Sequence, residues 1–326
     1  MATWIVSCTP SWFTNIPAKY PATEKRICLI EASELHRAAA LIRAGELVAF
    51  PTETVYGLGA NALDPSAVEK IYVAKGRPAD SPLIVHVDSI EMARSLAREW
   101  PEKAQKLATR FWPGPLTLVL PKRPHVPDEL TAGLDTVGIR MPSNLIALAL
   151  IREAGLPVAA PSANRFSELS PTTAEHVRAA MGDRPAMVLD GGPATIGIES
   201  TVLSLVCPEA ILLRPGMISQ AEIEEVIGKV RVQRQVTGSA HPSPGMHRRH
   251  YSPKTPLILV KPGQPGSGGH GVRLQMPADP RQYAAVLYER LHQADSENWD
   301  WIEIELPPDD PAWAAIRDRL ERAAAR

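Results

Sequence analysis

Helix-like and strand-like segments alternate along most of this chain, from residue 28 to about residue 230. This alternation is typical of an α/β domain, in which helices cover the faces of a sheet. Several connections between strand-like segments are too short to contain a helix, so the neighbouring strands cannot all be parallel. We therefore predict a twisted mixed sheet flanked by helices, rather than a purely doubly wound parallel sheet.

Local signals place the first elements of this region. Residues 33–42 have the pattern of a helix that stops at Gly45, and residues 47–50 have the pattern of a strand. Asp64 and Pro65 predict a second helix, because Asp accepts a bond from a free N–H group and Pro loses none at the first helical position. Further strands are predicted at 83–87, 116–120, 137–141, 158–161, 187–190, 201–205 and 211–214, and further helices at 89–98, 102–111, 145–153 and 173–180.

The composition changes after Val236. Residues 237–256 are rich in Pro, Ser, Gly, His and Arg, which indicates a linker or a long ordered loop. We predict an N-terminal extension at 1–27, a main α/β domain at 28–236, an interdomain loop at 237–256 and a small second α/β domain at 257–326. In the last of these we expect a helix at 283–291, a strand at 301–304 and a helix at 313–320.

The bulk composition limits the classes of function. The 326 residues are 44% hydrophobic and carry a formal net charge of -1, so any anion-binding surface must be local. The three cysteines are few and far apart, which fits neither a disulfide framework nor a zinc site. The chain shows no secretory signal pattern and no apolar run long enough to span a bilayer. We expect a cytoplasmic protein with no membrane anchor.

Three polar clusters each adjoin an apolar run, at residues 51–59, 75–78 and 162–164. Hydroxyls, glycines and cations at the ends of buried strands suit a polyphosphate bound beside a small polar substrate. Gly57 and Gly59 resemble part of a dinucleotide fingerprint, but that motif requires a helix at its second glycine, whereas Asp64 delays the helix. The chain also lacks a Gly-x-x-x-x-Gly-Lys-Ser/Thr loop. The late start of the helix disfavours dinucleotide binding, and the missing loop excludes a P-loop enzyme.

Lys75 and Arg77 stand at the predicted end of the second helix. Cations at such a position often do no more than complement the helix dipole. Here Gly76 lets the backbone turn, and Ser81 leads directly into a buried strand that carries His86. This neighbourhood favours anion binding by the two cations, although a histidine in an apolar strand is more often a core residue.

Arg140 lies in an apolar strand, where an unpaired guanidinium would cost several kcal/mol to bury. Either a protein carboxylate neutralises it, or a substrate carboxylate or phosphate does, since arginine is well suited to bidentate capture of such groups. Ser162 at a strand end, Ser200 at a strand start and Arg214 at another strand end are further candidates. Ser170 has a competing interpretation as part of a turn or a helix start.

The predicted loop carries three histidines, His241, His247 and His250, together with Tyr251. Metal binding by these histidines alone is disfavoured, because no cysteine or carboxylate stands at ligand spacing. A loop that folds back over the site and offers Tyr251 as a hydrogen-bond donor is the favoured interpretation. We predict no metal-ligating residue.

Taken together, these residues resemble the Sua5/YrdC family of L-threonylcarbamoyladenylate synthases, in its two-domain Sua5 form. The motifs at 51–58, 75–78, 161–164 and 214–216 are weak singly and specific in this order, and residues 243–253 are similar to the interdomain loop of the family. The resemblance implies a YrdC-like catalytic domain and a Sua5-type second domain. Only about 70 residues follow the loop, and the glycine-rich 263–271 stands where regular structure is expected. We therefore predict a shortened second domain, and expect activity to depend on the loop more than on that domain.

The resemblance implies an enzyme that makes threonylcarbamoyl-AMP and pyrophosphate from L-threonine, bicarbonate or CO₂, and ATP, with Mg²⁺ on the polyphosphate. Its product would serve the t6A37 modification of tRNA. The implied partners are L-threonine and ATP. The protein would act on tRNA only indirectly, through downstream threonylcarbamoyl transferase proteins, and weak RNA binding is a further option. No membrane partner is implied.

The family motifs also assign residues to the two substrates. The resemblance implies that L-threonine is held by Thr54, His86, Arg140, Ala160 and Ser200, with Arg140 on its carboxylate. It implies that ATP is held by Lys75, Arg77, Ser81, Thr136, Ser162, Asn164, Ser170, Arg214 and Tyr251. Lys75, Arg77 and Arg140 are the candidates for catalysis through positioning and charge neutralisation, because a threonine carbamate can attack the α-phosphorus without a protein nucleophile.

Two alternatives belong to other functional classes. A YrdC-like module for RNA binding or ribosome maturation, without adenylate synthesis, is weakened by the balanced charge of the chain. A carbamoyl-transferring relative in metal-centre maturation would be expected to carry acylphosphatase and zinc-finger segments, and this sequence lacks them.

Overall fold

A computed structural model describes residues 31–233 and 250–325 of the chain. The predicted N-terminal extension and residues 237–249 of the predicted loop lie outside the described residues. The described strands form one sheet of ten strands and another of three.

The larger sheet belongs to the first part of the chain. Its strands are β1 (Val48–Phe50), β2 (Gly57–Asn61), β3 (Ile84–His86), β4 (Leu116–Pro121), β5 (Thr136–Arg140), β6 (Val158–Ala159), β7 (Met187–Val188), β8 (Thr201–Ser204), β9 (Ala210–Arg214) and β10 (Val230–Val232). The helices around it are α1 (Ala32–Arg43), α2 (Pro65–Lys75), α3 (Ile90–Leu96), α4 (Glu102–Phe111), α5 (Asp128–Thr131), α6 (Leu145–Ala154), α7 (Ala174–Met181) and α8 (Gln220–Ile227).

The sheet is mixed, as predicted. Its strand order is β10-β9-β8-β4-β5-β3-β6-β2-β1-β7. The pairs β1/β7, β3/β5, β4/β8 and β9/β10 are parallel, and the other neighbours are antiparallel. Short connections account for the antiparallel pairs β1/β2 and β8/β9, since a parallel pair needs a longer crossover, whereas β2/β6 and β3/β6 pair strands that lie far apart in the sequence.

The cap residues of α2 act as predicted. The Asp64 side chain accepts hydrogen bonds from the backbone N–H groups of Ser66 and Ala67, and Pro65 occupies the first turn. Gly76 ends the helix in the left-handed conformation, with φ of 61°. The helix therefore stops where Lys75 and Arg77 leave it, at the edge of the sheet.

Strand β2 is absent from the sequence-based prediction. Glycines normally weaken a strand, which is why Gly57 and Gly59 do not indicate one. In the fold they permit a close approach: a Cβ atom on Gly59 would lie 2.7 Å from the Phe50 ring and 3.0 Å from Val158. The glycines thus serve packing between β1, β2 and β6.

The smaller sheet belongs to the C-terminal region. Strands β11 (Leu257–Val260), β12 (Gly271–Arg273) and β13 (Trp301–Glu305) pair in parallel in the order β11-β13-β12. Helices α9 (Pro280–Ser296) and α10 (Ala314–Ala324) pack on it, longer than the predicted 283–291 and 313–320. Strands β11 and β12 were not predicted; Gly271 in β12 lies against the Trp301 ring, where a side chain would clash.

A continuous apolar cluster joins the two regions. Val55, Leu169 and Ile198 of the first region pack with Tyr251, Tyr288 and other buried side chains of the C-terminal region. Among the described helices, none has the length and apolar character that crossing a membrane requires. The interface matters for function because Val55 and Tyr251 also line the main cavity.

Candidate active site

The main cavity opens at the carboxyl ends of β3 and β5. These two strands are parallel, and their register pairs His86 with Arg140, so both side chains reach the same edge of the sheet. The cavity contains about 540 Å³ of empty space when its open mouth is counted. The lining residues are Thr52, Thr54, Val55, Gly57, Arg77, Ile84, His86, Arg140, Ala160, Pro161, Ser162, Glu199, Ser200, Arg214, His250 and Tyr251.

The structure brings most of the sequence-predicted site residues together here. The cavity wall contains Thr54, Arg77, His86, Arg140, Ala160, Ser162, Ser200, Arg214 and Tyr251. Lys75, Ser81 and Ser170 are buried behind this wall and bond to the lining residues Ser162, Arg77 and Glu199 respectively. Asn164 is also buried and bonds to Lys75. Thr136 is the exception, because it begins β5 while Arg140 ends it, about 13 Å away along an extended strand.

Arg140 is paired with a carboxylate of the protein itself. Its Nη2 lies 2.7 Å from Glu53 Oε1, and its Nη1 donates to Thr54 Oγ1 at 2.9 Å. Both charged side chains are buried, so each neutralises the other in a setting where a lone charge would be costly. The Arg140 Nε atom is also buried and has no hydrogen-bond partner among the described residues. The sequence left open whether a protein carboxylate or a substrate anion neutralises Arg140. In the structure the carboxylate of Glu53 does so, which does not exclude contact with a substrate.

His86 is neutral in this environment. Burial, helped by the nearby Arg140 cation, lowers the pKa of His86 to about 3. Its ring makes an edge contact with Phe50, and its Nδ1 atom has no hydrogen-bond partner in the part of the chain that the structure describes. A neutral imidazole can form a hydrogen bond with a substrate but does not attract its carboxylate by charge.

Lys75 is held by three oxygens. Its Nζ donates to the carbonyl of Ser162 at 2.6 Å, to the side-chain oxygen of Asn164 at 3.2 Å and to the carbonyl of Asn164. Burial and the neighbouring Arg77 lower the pKa of Lys75 well below its usual value. An anion bound here would favour the charged ammonium.

Arg77 is a second buried cation close to Lys75. It donates to the Ser81 hydroxyl and, at 3.3 Å, to the carbonyl of Pro82. Burial lowers its pKa to about 10, and the charge of Arg214 acts in the same direction. Arg214 in turn donates to both the carbonyl and the hydroxyl of Ser200, at 3.1 Å each.

Tyr251 closes the side of the cavity that faces the C-terminal region. Its backbone adopts the left-handed conformation, with φ of 59°, and its side chain is fully buried. The hydroxyl has no hydrogen-bond partner among the described residues. This orphan hydroxyl in the cavity wall fits the hydrogen-bonding role predicted from the sequence.

Sequence reasoning missed two acidic residues at the site. Glu53 and Glu199 lie within motifs that it singled out, yet neither is assigned a role there. Glu199 accepts from Ser170 at 2.6 Å and from Arg319 at 2.8 Å. A buried glutamate requires such partners. The only sequence signal of Glu53 and Glu199 is an acidic residue inside an otherwise apolar or small-residue segment.

Comparison with known proteins identifies the family. Residues 40–216 match the Sua5_yciO_yrdC model, described as Telomere recombination, and residues 218–325 match the model described as Threonylcarbamoyl-AMP synthase, C-terminal domain. The Bacillus subtilis threonylcarbamoyl-AMP synthase is 43% identical over 97% of this chain and 98% of its own length. The chain belongs to the Sua5/YrdC family of threonylcarbamoyl-AMP synthases. It is of the two-domain Sua5 type, and its family makes it an enzyme of tRNA t6A modification.

Two further comparisons of this Sua5-type chain are with Pyrococcus abyssi, one with a sequence and one with a crystal structure. The threonylcarbamoyl-AMP synthase of that organism is 53% identical over 71% of this chain and 69% of its own length. A crystal structure described as P. abyssi Sua5 complexed with L-threonine is 42% identical, covers 90% of this chain and 95% of that one, and gives a TM-score of 0.85. These relatives support the synthase interpretation and give no support to the RNA-binding alternative.

Proposed function

We propose that the cavity between β3, β5 and Tyr251 forms threonylcarbamoyl-AMP, with L-threonine and ATP bound in adjoining halves. The family membership supports the overall reaction, and the charge distribution of the cavity supports the division. L-Threonine, bicarbonate or CO₂, and ATP are the substrates.

The observation that carries this proposal is an excess of buried cations. Among the described residues at the site, Lys75, Arg77, Arg140, Arg214 and Arg319 are buried, against the two buried carboxylates Glu53 and Glu199. Burial is the main cause that lowers the pKa of Lys75 and of Arg77, and the charge of Arg77 adds to it at Lys75 as the charge of Arg214 does at Arg77. Like charges crowded at low dielectric favour a polyanion, and a nucleoside triphosphate supplies one.

The proposed threonine half contains Arg140, Thr54, His86, Ala160 and Ser200. Glu53 neutralises Arg140 and orients its guanidinium. The substrate carboxylate would then add to an ion pair that is already formed. The neutral His86 imidazole can hydrogen-bond to the hydroxyl or the carbamate without repelling a cation.

The proposed nucleotide half contains Lys75, Arg77 and Arg214 facing the phosphates, with Ser81, Ser162, Asn164, Ser170 and Tyr251 around them. Thr136 is retained as an ATP contact only on the resemblance to the family, because it lies at the far end of β5. Mg²⁺ enters with ATP as part of the substrate, bound by the phosphates. Glu53 and Glu199 do not suit a protein-held magnesium site, since both already pair with arginines.

The reaction needs no protein nucleophile. The threonine amine adds to CO₂ and loses a proton to give a carbamate, and a carbamate oxygen attacks the α-phosphorus of ATP. The bond from that phosphorus to the bridging oxygen breaks, and pyrophosphate leaves with the electron pair. The protein contributes alignment of the two substrates and neutralisation of the charge on pyrophosphate.

The product is proposed to pass to threonylcarbamoyl transferase proteins that modify tRNA, so that tRNA is met indirectly. ATP as a substrate and tRNA as the final acceptor of the threonylcarbamoyl group are consistent with a cytoplasmic site of action. Weak direct RNA binding, the other predicted contact with RNA, stays a prediction.

Pyrophosphate release tests the proposed function. The protein is incubated with ATP, Mg²⁺ and bicarbonate, and each amino acid is added in turn. Release that requires both L-threonine and bicarbonate is the expected result. Release that is the same without either one, or with any amino acid, would show that the synthase assignment is wrong.

A further inference from the structure

Arg319 is a buried arginine of the C-terminal helix α10, with no exposed surface. Its Nε donates to Glu199 Oε2 at 2.8 Å, and its Nη2 donates to the Glu199 carbonyl at 3.3 Å. Its Nη1 donates to the Pro215 carbonyl at 2.9 Å and to Asp318 at 2.8 Å. All three nitrogens of the guanidinium are therefore engaged, and most of these bonds reach the catalytic domain.

Glu199 accepts hydrogen bonds from residues of both domains. Besides Arg319, it accepts from the Ser170 hydroxyl at 2.6 Å and from the Tyr288 hydroxyl of α9 at 3.2 Å. Burial alone would raise the pKa of Glu199, but the Arg319 and Arg214 cations outweigh it and the net shift is downward. The carboxylate is consequently a charged junction between the two domains.

Each segment that Arg319 contacts carries a residue assigned to a substrate. Glu199 precedes Ser200 in the chain, Pro215 follows Arg214, and the Arg319 guanidinium lies 5.4 Å from the centre of the Tyr251 ring. Arg214 also donates twice to Ser200, so these segments form one connected set. One side chain of the second domain thus fixes the relative positions of three parts of the cavity wall.

Arg140, the proposed carboxylate contact in the threonine half, has a separate set of contacts, whereas Ser200 belongs to the set that Arg214 and Arg319 hold. Arg140 bonds to Glu53 and Thr54, and no bond of Arg319 reaches this group among the described residues. A displacement of Arg319 should therefore move Arg214, Ser170 and Tyr251 before it moves Arg140.

We propose that Arg319 is a positioning residue for the nucleotide half of the site, and that the C-terminal domain contributes to synthesis through its bonds to Glu199 and Pro215. The inference rests on the proposed function, because it takes Arg214, Ser170 and Tyr251 as ATP contacts. It runs against the expectation that activity depends on the loop more than on the second domain.

The test compares two arginines of the same helix. Arg319→Lys keeps the positive charge for Glu199 but cannot supply bonds to Glu199 and Pro215 together. Arg317→Lys is the matched control, since Arg317 contacts Pro307, Asp309 and Glu321, all within the C-terminal domain. Steady-state KM values for ATP and for L-threonine are measured for both variants by pyrophosphate release, with the Kd for ATP measured by calorimetry.

The expected result is a KM and a Kd for ATP about tenfold higher in Arg319→Lys, with a change of less than about twofold for L-threonine, because Arg140 keeps its bonds to Glu53 and Thr54 and only Ser200 of the threonine half lies in the displaced set. Arg317→Lys should match the wild type in all three values. Equal ATP affinity in both variants, or equal losses for ATP and L-threonine in Arg319→Lys, would overturn the inference.

A second variant distinguishes a loss of ATP positioning from a general loss of folding. Glu199→Gln keeps the size of the side chain and removes its charge, and the double variant with Arg319→Lys completes a cycle. If the two residues act as one unit, the double variant should bind ATP no worse than the weaker single variant, whereas independent effects would multiply and contradict the inference. A wild type that binds ATP but releases no pyrophosphate would count against the proposed function alone, since the Kd cycle would still decide on Arg319.

Discussion

At the scale of single residues, the site depends on charges whose partners are distant in sequence. Arg140 meets Glu53, and Arg319 meets Glu199, in each case across a gap of many residues. The pairing keeps two guanidinium groups charged in buried positions, where removing one partner typically costs about 3–5 kcal/mol of stability. Substitutions that test a binding role should therefore retain the charge.

Arg140→Lys meets this requirement. The lysine still neutralises Glu53 but loses the forked geometry that suits a carboxylate, so the KM for L-threonine should rise about tenfold while the KM for ATP changes little. Arg152→Lys provides the matched control, because Arg152 is half-exposed and pairs only loosely with Asp88, at 3.5 Å. Pyrophosphate release at varied L-threonine measures both variants, and an unchanged KM in Arg140→Lys would remove Arg140 from the threonine half.

The sequence predicts the residue types of the site better than their partners. The clusters around Thr54, Lys75 and Ser162 were found because small polar residues interrupt apolar runs. The partners Glu53 and Glu199 were not, because which carboxylate meets which arginine depends on strand register and domain docking, which no local pattern encodes. Thr136 was assigned to ATP only by the resemblance to the family; it lies at the end of β5 opposite Arg140, and its role stays a prediction.

At the scale of elements, caps were predictable and close packing was not. Asp64 and Pro65 start α2, and Gly76 ends it, as local hydrogen-bond chemistry requires. Strand β2 was missed because its glycines are explained by contact with the Phe50 ring of β1, a tertiary feature. The same explanation applies to Gly271 of β12 and the Trp301 ring.

Gly59→Ala tests this account of β2. The added methyl group would lie 2.7 Å from the Phe50 ring, so the free energy of unfolding should fall by about 1–3 kcal/mol. Adding Phe50→Leu should recover part of that loss. Gly138→Ala in β5 is the control, since its Cβ would meet Thr117 at an ordinary 3.4 Å and should change stability by less than about 0.5 kcal/mol. Urea denaturation compares them, and equal losses at both glycines would refute the packing explanation.

At the scale of the whole molecule, the two domains meet through polar as well as apolar contacts. His176 of α7 stacks on His292 of α9 with ring centres 3.9 Å apart, and His292 also bonds to the Ser170 carbonyl. Burial, together with the His176 charge, lowers the pKa of His292 to about 4. The folded protein thus favours the neutral ring, whereas the unfolded chain takes up a proton near the usual value of 6.5.

The lower pKa of His292 in the folded state determines how the stability of the protein changes with pH. Between pH 6.5 and 4 the unfolded state binds more protons, so stability is lost as the pH falls, by up to about 3 kcal/mol from this group. His292→Gln should flatten the fall in unfolding midpoint between pH 7 and pH 5. His270→Gln is the control, because His270 is largely exposed. A pH dependence in His292→Gln as steep as in the wild type would contradict this role of the stacked pair.

The central claim is that this chain joins L-threonine, an inorganic carbon source and ATP in one cavity. The most direct measurement supplies ¹³C-bicarbonate with L-threonine and MgATP, and follows the nucleotide products by mass spectrometry. We predict a threonylcarbamoyl-AMP species that carries the heavy carbon and accumulates in step with pyrophosphate. An adenylate formed without the label, or ATP consumed with no threonine-containing nucleotide, would contradict the account.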